Sequence, residues 1–142
     1  MSCGEPKVAG NGRWAVVRDL PRLHEYRELY NTERQVQGRP DTHADIEQKR
    51  VAVLDHQGQI VSVIRRNGET ARYACVGATF TFPEARGSGF AKQLVAFVVN
   101  ELAAQGRVTH LIVDDDNLAA IRLYQSVGFQ QLGRAFIACL GQ

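Results

Sequence analysis

Apolar positions in the second half of the chain recur with the period of a helix. They repeat every fourth residue, and a neighbouring row joins them, which is typical of a helix with one buried face. The stripe consists of Phe90, Leu94, Val98 and Leu102, with Ala91, Val95 and Ala103 on the neighbouring row. We therefore predict a long helix from Gly89 to Gly106, where the glycine ends it.

Three further stretches have helical character. Asp19 is a suitable N-cap, and Pro21 suits a first helical turn, so a first amphipathic helix is predicted from there through Asn31. A polar helix is predicted over Thr42–Lys49, and a second amphipathic helix over Asn117–Ser126, ended by Gly128.

The remaining apolar runs are rich in β-branched residues and indicate strands. A Gly-containing connector joins two of them into a hairpin, and a longer strand follows a turn at Asn67-Gly68. The predicted strands are Arg13–Val17, Val51–Leu54, Ile60–Ile64, Arg72–Phe82, His110–Val113 and Phe129–Leu140, after a loose start of about a dozen residues. This order of elements predicts an α/β fold with a mixed sheet covered by helices.

Composition narrows the function classes. The 142 residues, 44% of them hydrophobic, are enough for one core, so we expect a single domain over residues 1–142. A net charge of +2, without a basic and aromatic cluster, argues against nucleic acid as a partner. The apolar runs are too short to cross a membrane, and the start lacks the apolar core of a signal peptide, so we expect a cytoplasmic protein.

The three cysteines form an odd and widely spaced set. Cys3, Cys75 and Cys139 show no metal-ligand spacing, so we expect neither a disulfide framework nor a metal site. We interpret Cys75 and Cys139 as small buried residues.

A Gly-rich turn joins the longest strand to the longest helix. The first turn of a helix has backbone N–H groups without intrahelical partners and carries partial positive charge, so it favours phosphate oxygens. Gly87 and Gly89 allow a ligand to approach the backbone, and Arg86 adds a cation. The turn is neither a P-loop, since G-x-x-x-x-G-K-S/T is absent, nor a dinucleotide fingerprint, since Lys92 stands where Gly is required. A diphosphate-bearing ligand is therefore predicted.

Two ordered motifs resemble the GNAT superfamily of acyl-CoA-dependent N-acyltransferases. The first is PEARGSGFA at Pro83–Ala91, followed by Leu94. The second is Asn117-x-x-Ala120-x-x-x-Tyr124-x-x-x-Gly128-Phe129, which is similar to that family's signature at the expected distance. The resemblance implies a GNAT-like fold with a mostly antiparallel twisted central sheet flanked by helices, and acetyl-CoA as co-substrate.

Carried over position by position, the resemblance implies a set of cofactor contacts. The turn formed by Arg86, Gly87, Ser88, Gly89, Phe90 and Ala91 would bind pyrophosphate, and the strand edge at Phe80, Thr81 and Phe82 would pair with the pantetheine arm. Asn117 would contact the same arm, and Tyr124 would lie near the thioester sulfur. Glu84 departs from the Gln or Arg of the family consensus, which implies weaker phosphate electrostatics.

The resemblance also implies direct attack of a primary amine on the thioester, in a ternary complex, with the amine belonging to a small molecule or a peptide. Tyr124 is our candidate for the acid that protonates the leaving thiolate, since a phenol stays protonated at neutral pH. A packing role for Tyr124 is the alternative.

The base stays open. Arg72–Phe82 contains no carboxylate. Glu69 is one candidate for the base, and His24, His43, His56 and His110 are others that have a structural or surface alternative. Asp114, Asp115 and Asp116 are candidates for attracting a cationic amine, with a solvated turn and helix N-cap as the alternative. Trp14, Tyr26, Tyr30 and Phe80 are candidates for lining an acceptor pocket or for the core. A catalytically silent acyl-CoA-binding regulatory domain and a pure interaction module are the competing functions, and family analogy points to a possible homodimer.

Overall fold

Six strands form one sheet in the computed structural model, which describes residues 1–134, and four α-helices cover the two faces of this sheet. The strands are β1 (Ser2–Cys3), β2 (Arg13–Trp14), β3 (Val51–His56), β4 (Gln59–Glu69), β5 (Tyr73–Thr81) and β6 (Val108–His110). The helices are α1 (Leu20–Arg34), α2 (His43–Glu47), α3 (Phe90–Ala104) and α4 (Leu118–Val127). Short 3₁₀ turns at Val17–Asp19 and Pro83–Ala85 precede α1 and follow β5.

The strand order is β1-β6-β5-β4-β3-β2, and every neighbouring pair is antiparallel except β5 and β6. The α3 crossover makes that pair parallel, as such connections do in α/β folds. The predicted mixed α/β sheet is therefore confirmed.

The two faces of the sheet bury separate apolar clusters. The α3 stripe packs on one face, where Leu94, Val95, Val98 and Leu102 are at most 1% exposed. The α1 helix covers the other face with Leu23 and Tyr26, together with side chains of β3, β4 and β5. The helical period thus decides which side chains meet the sheet.

Strand β4 is longer than the hairpin pattern predicts. The expected turn at Asn67-Gly68 is wrong, because both residues lie inside β4 and Glu69 still pairs with Ala74 of β5. The chain reverses one step later, where Thr70 N–H donates to the Tyr73 carbonyl at 2.8 Å. Pairing with β5 therefore overrides the local turn propensity.

Several other local expectations are wrong. Asp19 does not cap α1 with its side chain; its carboxylate instead accepts from Val16 N–H and from the Arg13 guanidinium. The supposedly loose start includes Ser2–Cys3, which pairs with β6. Asp19 is thus engaged by neighbours three and six positions earlier, whereas Ser2–Cys3 is ordered by a strand more than 100 positions later.

Strand ends and cysteines also differ from the prediction. Strand β6 ends at His110, before the apolar residues 111–113. Cys75 is exposed on β5, since its side chain points away from the face that α3 covers, whereas Cys139 lies outside the described residues. Of the predicted last strand, Gln130 forms an isolated bridge with Ser2, residues 131–134 form no strand, and residues 135–140 lie outside the described residues. Within residues 1–134 no helix is both long and apolar enough to span a bilayer.

A buried network of ion pairs fastens α2 and the segment before it to β4. Asp41 lies 2.7 Å from the Arg65 guanidinium, and Arg65 also approaches Asp45 at 3.5 Å. Asp45 accepts from both Arg39 amino groups and from the Thr42 N–H, which completes a capping box at the start of α2. Asp45 thus joins a helix cap to a bidentate ion pair.

We expect Asp45→Asn to lower the free energy of unfolding at pH 7 by about 2 kcal/mol, the scale of hydrogen bonds to a charged group. The Arg39 guanidinium lowers the pKa of Asp45 below its ordinary value of 3.8, so its contribution is complete above that value and fades as pH falls further. Urea unfolding at pH 7 and pH 3 measures this, with the exposed Glu47→Gln on the same helix as control. Equal stabilities of the two variants at pH 7 would contradict the assignment.

Candidate functional site

The carboxyl ends of the parallel strands β5 and β6 lie at one edge of the sheet, and α3 and α4 begin beyond them. Pairing between these strands is limited to Tyr73–Cys75 against Val108–His110. In the part of the chain that the structure describes, β5 therefore runs on to Thr81 with no strand on its β6 side. Ligands of open α/β sheets bind at such an edge.

The Gly-rich turn has the backbone that its composition predicts. Gly87 and Gly89 have φ values of +87° and +79°, in the left-handed region, and an added Cβ would meet nothing within 4 Å at either. The first helical hydrogen bond of α3 runs from Gln93 N–H to the Gly89 carbonyl. The N–H groups of Phe90, Ala91 and Lys92 are thus left without intrahelical partners, in an open cradle for an anion.

A shallow cavity of about 210 Å³ lies at this turn. Its lining includes Gly87, Gly89, Phe90, Ala91 and Thr81, all predicted from the sequence, and also Lys92 and Leu123, which were not. Lys92 occupies the first turn of α3, where side chains point back toward the helix start. That helical position, read with the phosphate prediction, is the signal that would have identified this cation.

Arg86, also predicted from the sequence, lines the same cavity, and its side chain has two hydrogen-bond partners. Its Nε donates to the Thr81 carbonyl at 2.9 Å, and a terminal nitrogen donates to Glu33 of α1 at 2.7 Å. Glu84, the departure from the consensus, lies 3.5 Å from the Arg22 guanidinium, which partly balances its charge. Positive potential at the turn thus comes from its backbone, from Lys92 and from Arg86, whose guanidinium also pairs with Glu33.

Phe80 and Phe82 are buried under α1, with 5% and 1% exposure, so only their backbone is available to a ligand. Phe82 N–H already donates to the Val61 carbonyl of β4. Thr81 is half-buried, and its hydroxyl lies 3.0 Å from Ser62 Oγ. The predicted pantetheine edge is thus a backbone edge, whose Thr81 carbonyl accepts from Arg86.

A bulge interrupts β5 just before this edge. Val63 pairs with Phe80 and Arg65 with Gly77, so β5 carries one residue more than β4 between these pairs. The backbone strain of this bulge falls on Ala78, whose φ of +51° is a value that residues with a Cβ rarely adopt. Its carbonyl accepts a hydrogen bond from the Tyr26 hydroxyl at 2.8 Å.

Tyr124 projects from α4 toward the bulge. It is 6% exposed, packs on the Phe129 ring at 5.5 Å, and donates from its hydroxyl to Thr79 Oγ1 at 2.9 Å. Burial raises the pKa of the Tyr124 phenol above its ordinary value of 10.0, and the bond to Thr79 partly offsets this. The group therefore stays protonated through the neutral range.

Asn117 caps α4, since its side-chain oxygen accepts from Ala120 N–H at 3.3 Å. Asn117 and Tyr124 sit two turns apart on one face of that helix. The side-chain NH₂ group of Asn117 is a further hydrogen-bond donor beside this cap.

The candidates for the base and for attracting the acceptor amine are spread over the molecule. Glu69 lies in β4, where Arg66 and Arg107 hold it at the end opposite Thr81. Asp114 pairs with Arg34 of α1 at 2.9 Å. The His110 ring lies against Tyr73, and the His56 ring lies against Phe90 at the start of α3. His24, His43, Asp115 and Asp116 are exposed.

The aromatic candidates separate into two places. Trp14 packs on Phe97 of α3 and donates to Glu101, so the structure assigns it to the α3 face. Tyr26, Tyr30 and Phe80 form one cluster on the α1 face, with ring centroids 5.8 to 6.3 Å apart.

Comparison with known proteins agrees with this geometry. The family model described as acetyltransferase (GNAT) family matches residues 20–129. Among curated proteins, the mycothiol acetyltransferase of Kocuria rhizophila is 39% identical over 66 residues, which are 46% of this chain and 22% of that protein's length. The matched segment thus spans about a fifth of that relative's length.

Solved structures share the fold. A protein from Novosphingobium aromaticivorans described as a GNAT-family acetyltransferase superposes with a TM-score of 0.66 at 26% identity, covering 82% of this chain and 50% of that chain. A predicted acetyltransferase with acetyl-CoA from Clostridium acetobutylicum gives a TM-score of 0.67 at 15% identity, covering 91% and 95%. Acetyl-CoA is the cofactor of this family, and the open first turn of α3 fits its anionic pyrophosphate. The chain therefore belongs to the acetyltransferase (GNAT) family, whose model matches it over residues 20–129.

Proposed function

We propose that residues 1–142 act as one N-acetyltransferase domain, which transfers an acetyl group from acetyl-CoA to a primary amine of a small molecule or peptide. The observation that carries the proposal is the open first turn of α3, with two left-handed glycines, beside the edge of β5 that no strand within residues 1–134 pairs beyond Cys75. The turn supplies N–H donors for pyrophosphate, and the edge supplies backbone groups for an extended amide-bearing arm.

Bound acetyl-CoA supplies the activated acetyl thioester. The chain's own part is to hold the turn and edge rigid and to keep a proton at Tyr124 Oη for the departing sulfur. Thr79 can donate in return once that proton leaves, because a hydroxyl both donates and accepts. Direct attack by the amine then needs no covalent enzyme intermediate.

The acceptor must lose a proton before it attacks, and β5 carries no carboxylate to take it. An alkyl amine with a pKa near 10.4 is about 0.04% neutral at pH 7, whereas an α-amino group near 8 is about 10% neutral. We therefore propose α-amino acceptors as the first group to test. Alkyl amines are expected to need a higher pH.

Calorimetry with acetyl-CoA, followed by measurement of CoA release with a panel of amines, tests the proposal. Binding together with amine-dependent CoA release supports the N-acetyltransferase. Binding without release, across both amine groups and up to pH 9, would favour a silent acyl-CoA-binding regulatory domain, which the carboxylate-free β5 makes the second candidate. Absence of binding would overturn both functions and favour an interaction module.

A further inference from the structure

Two hydrogen bonds reach the bulge of β5 from opposite faces of the sheet. From the α1 side the Tyr26 hydroxyl donates to the Ala78 carbonyl, and from the α4 side Tyr124 bonds the side chain of the next residue, Thr79. Adjacent residues of one strand thus receive contacts from helices on opposite faces. A contact that fixes the backbone of Ala78 therefore also fixes the Thr79 hydroxyl, which accepts the hydrogen bond from Tyr124.

We propose that Tyr26 is a positioning residue for Tyr124, acting through the left-handed conformation of Ala78. The inference rests on the proposed function, in which Tyr124 supplies the proton to the leaving sulfur. Tyr26 itself touches neither substrate nor Tyr124, and its effect is on where Thr79 holds the Tyr124 hydroxyl.

Ala78 requires such support. A residue with a Cβ rarely adopts φ of +51°, so the conformation persists only where its surroundings hold it. The neighbouring pairs of β4 and β5 leave one extra residue at this point, and the carbonyl of that residue turns toward α1. The Tyr26 hydroxyl satisfies this carbonyl, because it donates a hydrogen bond to it at 2.8 Å.

Tyr26 is suited to the task because it cannot move easily. The residue is 0% exposed and packs between the Tyr30 and Phe80 rings, with centroids 5.9 and 5.8 Å away. Burial raises the pKa of its phenol well above the ordinary value of 10.0. The hydroxyl therefore remains a donor at every pH at which the protein works.

The test is Tyr26→Phe, alone and combined with Ala78→Gly. The single variant is expected to lower kcat about tenfold, the effect of losing one aligned buried hydrogen bond, and to leave the Kd of acetyl-CoA within about twofold. Glycine adopts positive φ without strain, so the double variant is expected to recover most of the lost kcat.

Leu23→Val on the same helix is the structural control, because Leu23 is 0% exposed and contributes only packing. It is expected to lower Tm while leaving kcat unchanged. If Leu23→Val reduces kcat as much as Tyr26→Phe does, or if Ala78→Gly fails to restore it, the positioning role is overturned.

An NMR measurement separates this inference from the proposed function. In protein labelled with ¹³Cζ-tyrosine, the Tyr124 resonance reports its hydrogen bond to Thr79 without any turnover. We expect it to shift in Tyr26→Phe and to return in the double variant. A wild-type protein without turnover would sink the proposed reaction, whereas an unmoved Tyr124 resonance would sink the role of Tyr26.

Discussion

Replacing Tyr124 with phenylalanine is expected to lower kcat about 100-fold or more, while the Kd of acetyl-CoA stays within about twofold. Phenylalanine keeps the packing on Phe129 and loses only the hydroxyl that bonds Thr79. The loss therefore falls on proton delivery to the leaving sulfur and spares cofactor binding. Steady-state kinetics together with calorimetry measures the two quantities separately.

The pH dependence gives an independent check on Tyr124. An acid acts in its protonated form, so its contribution persists below its pKa and is lost above it. Burial raises this pKa above 10.0, and wild-type kcat is therefore expected to show no decline between pH 7 and pH 9 attributable to Tyr124. Tyr73→Phe, an exposed tyrosine at the other end of β5, is the matched control and should behave as wild type. Retention of a third or more of the activity in Tyr124→Phe would assign this residue to packing.

Gly87→Glu is expected to weaken acetyl-CoA binding about 100-fold or more. The substitution places a carboxylate where the first-turn N–H groups of α3 face an anion, and juxtaposed like charges cost several kcal/mol. It also puts a Cβ on a residue with φ of +87°, which strains the turn itself. Calorimetric titration with acetyl-CoA is the measurement.

Gly106→Glu separates the charge effect from the strain. Gly106 has φ of +75° and open space around it, so the same substitution carries the same conformational cost. It lies beyond the other end of α3, about 22 Å away for a helix of 15 residues. Binding should survive Gly106→Glu, and comparable loss in both variants would show that strain and not anion repulsion is responsible.

The sequence predicted the elements that depend on local pattern. The helix expected over Gly89–Gly106 is confirmed as α3, and the one expected over Asn117–Ser126 is confirmed as α4, because a stripe every third or fourth residue can be buried only on a helix. Membership of the acetyltransferase (GNAT) family, expected from two motifs, is confirmed by the match to residues 20–129. The roles of the individual site residues stay predictions.

Predictions from the sequence failed or were incomplete where a tertiary contact competed with a local signal. Asn67-Gly68 has strong turn propensity, yet Arg66 and Gly68 both pair with β5 and keep Asn67 between them inside β4. Asp19 looks like a helix cap, but Arg13, six positions earlier, engages its carboxylate. Trp14, a candidate for either a pocket or the core, packs on Phe97 of α3. Arg86 lies beside the Gly-rich turn as expected, but the sequence does not show that its guanidinium also pairs with Glu33, 53 positions earlier on α1.

The sequence by itself thus determined the helices, the Gly-rich turn with its two left-handed glycines, and the family. Only the tertiary structure decided the bulge at Ala78 and the contacts that meet there. The reason is separation along the chain: Tyr26 bonds Ala78 across 52 positions, and Tyr124 bonds Thr79 across 45. No local pattern encodes such pairs, because they exist only once both helices have packed on opposite faces of one sheet.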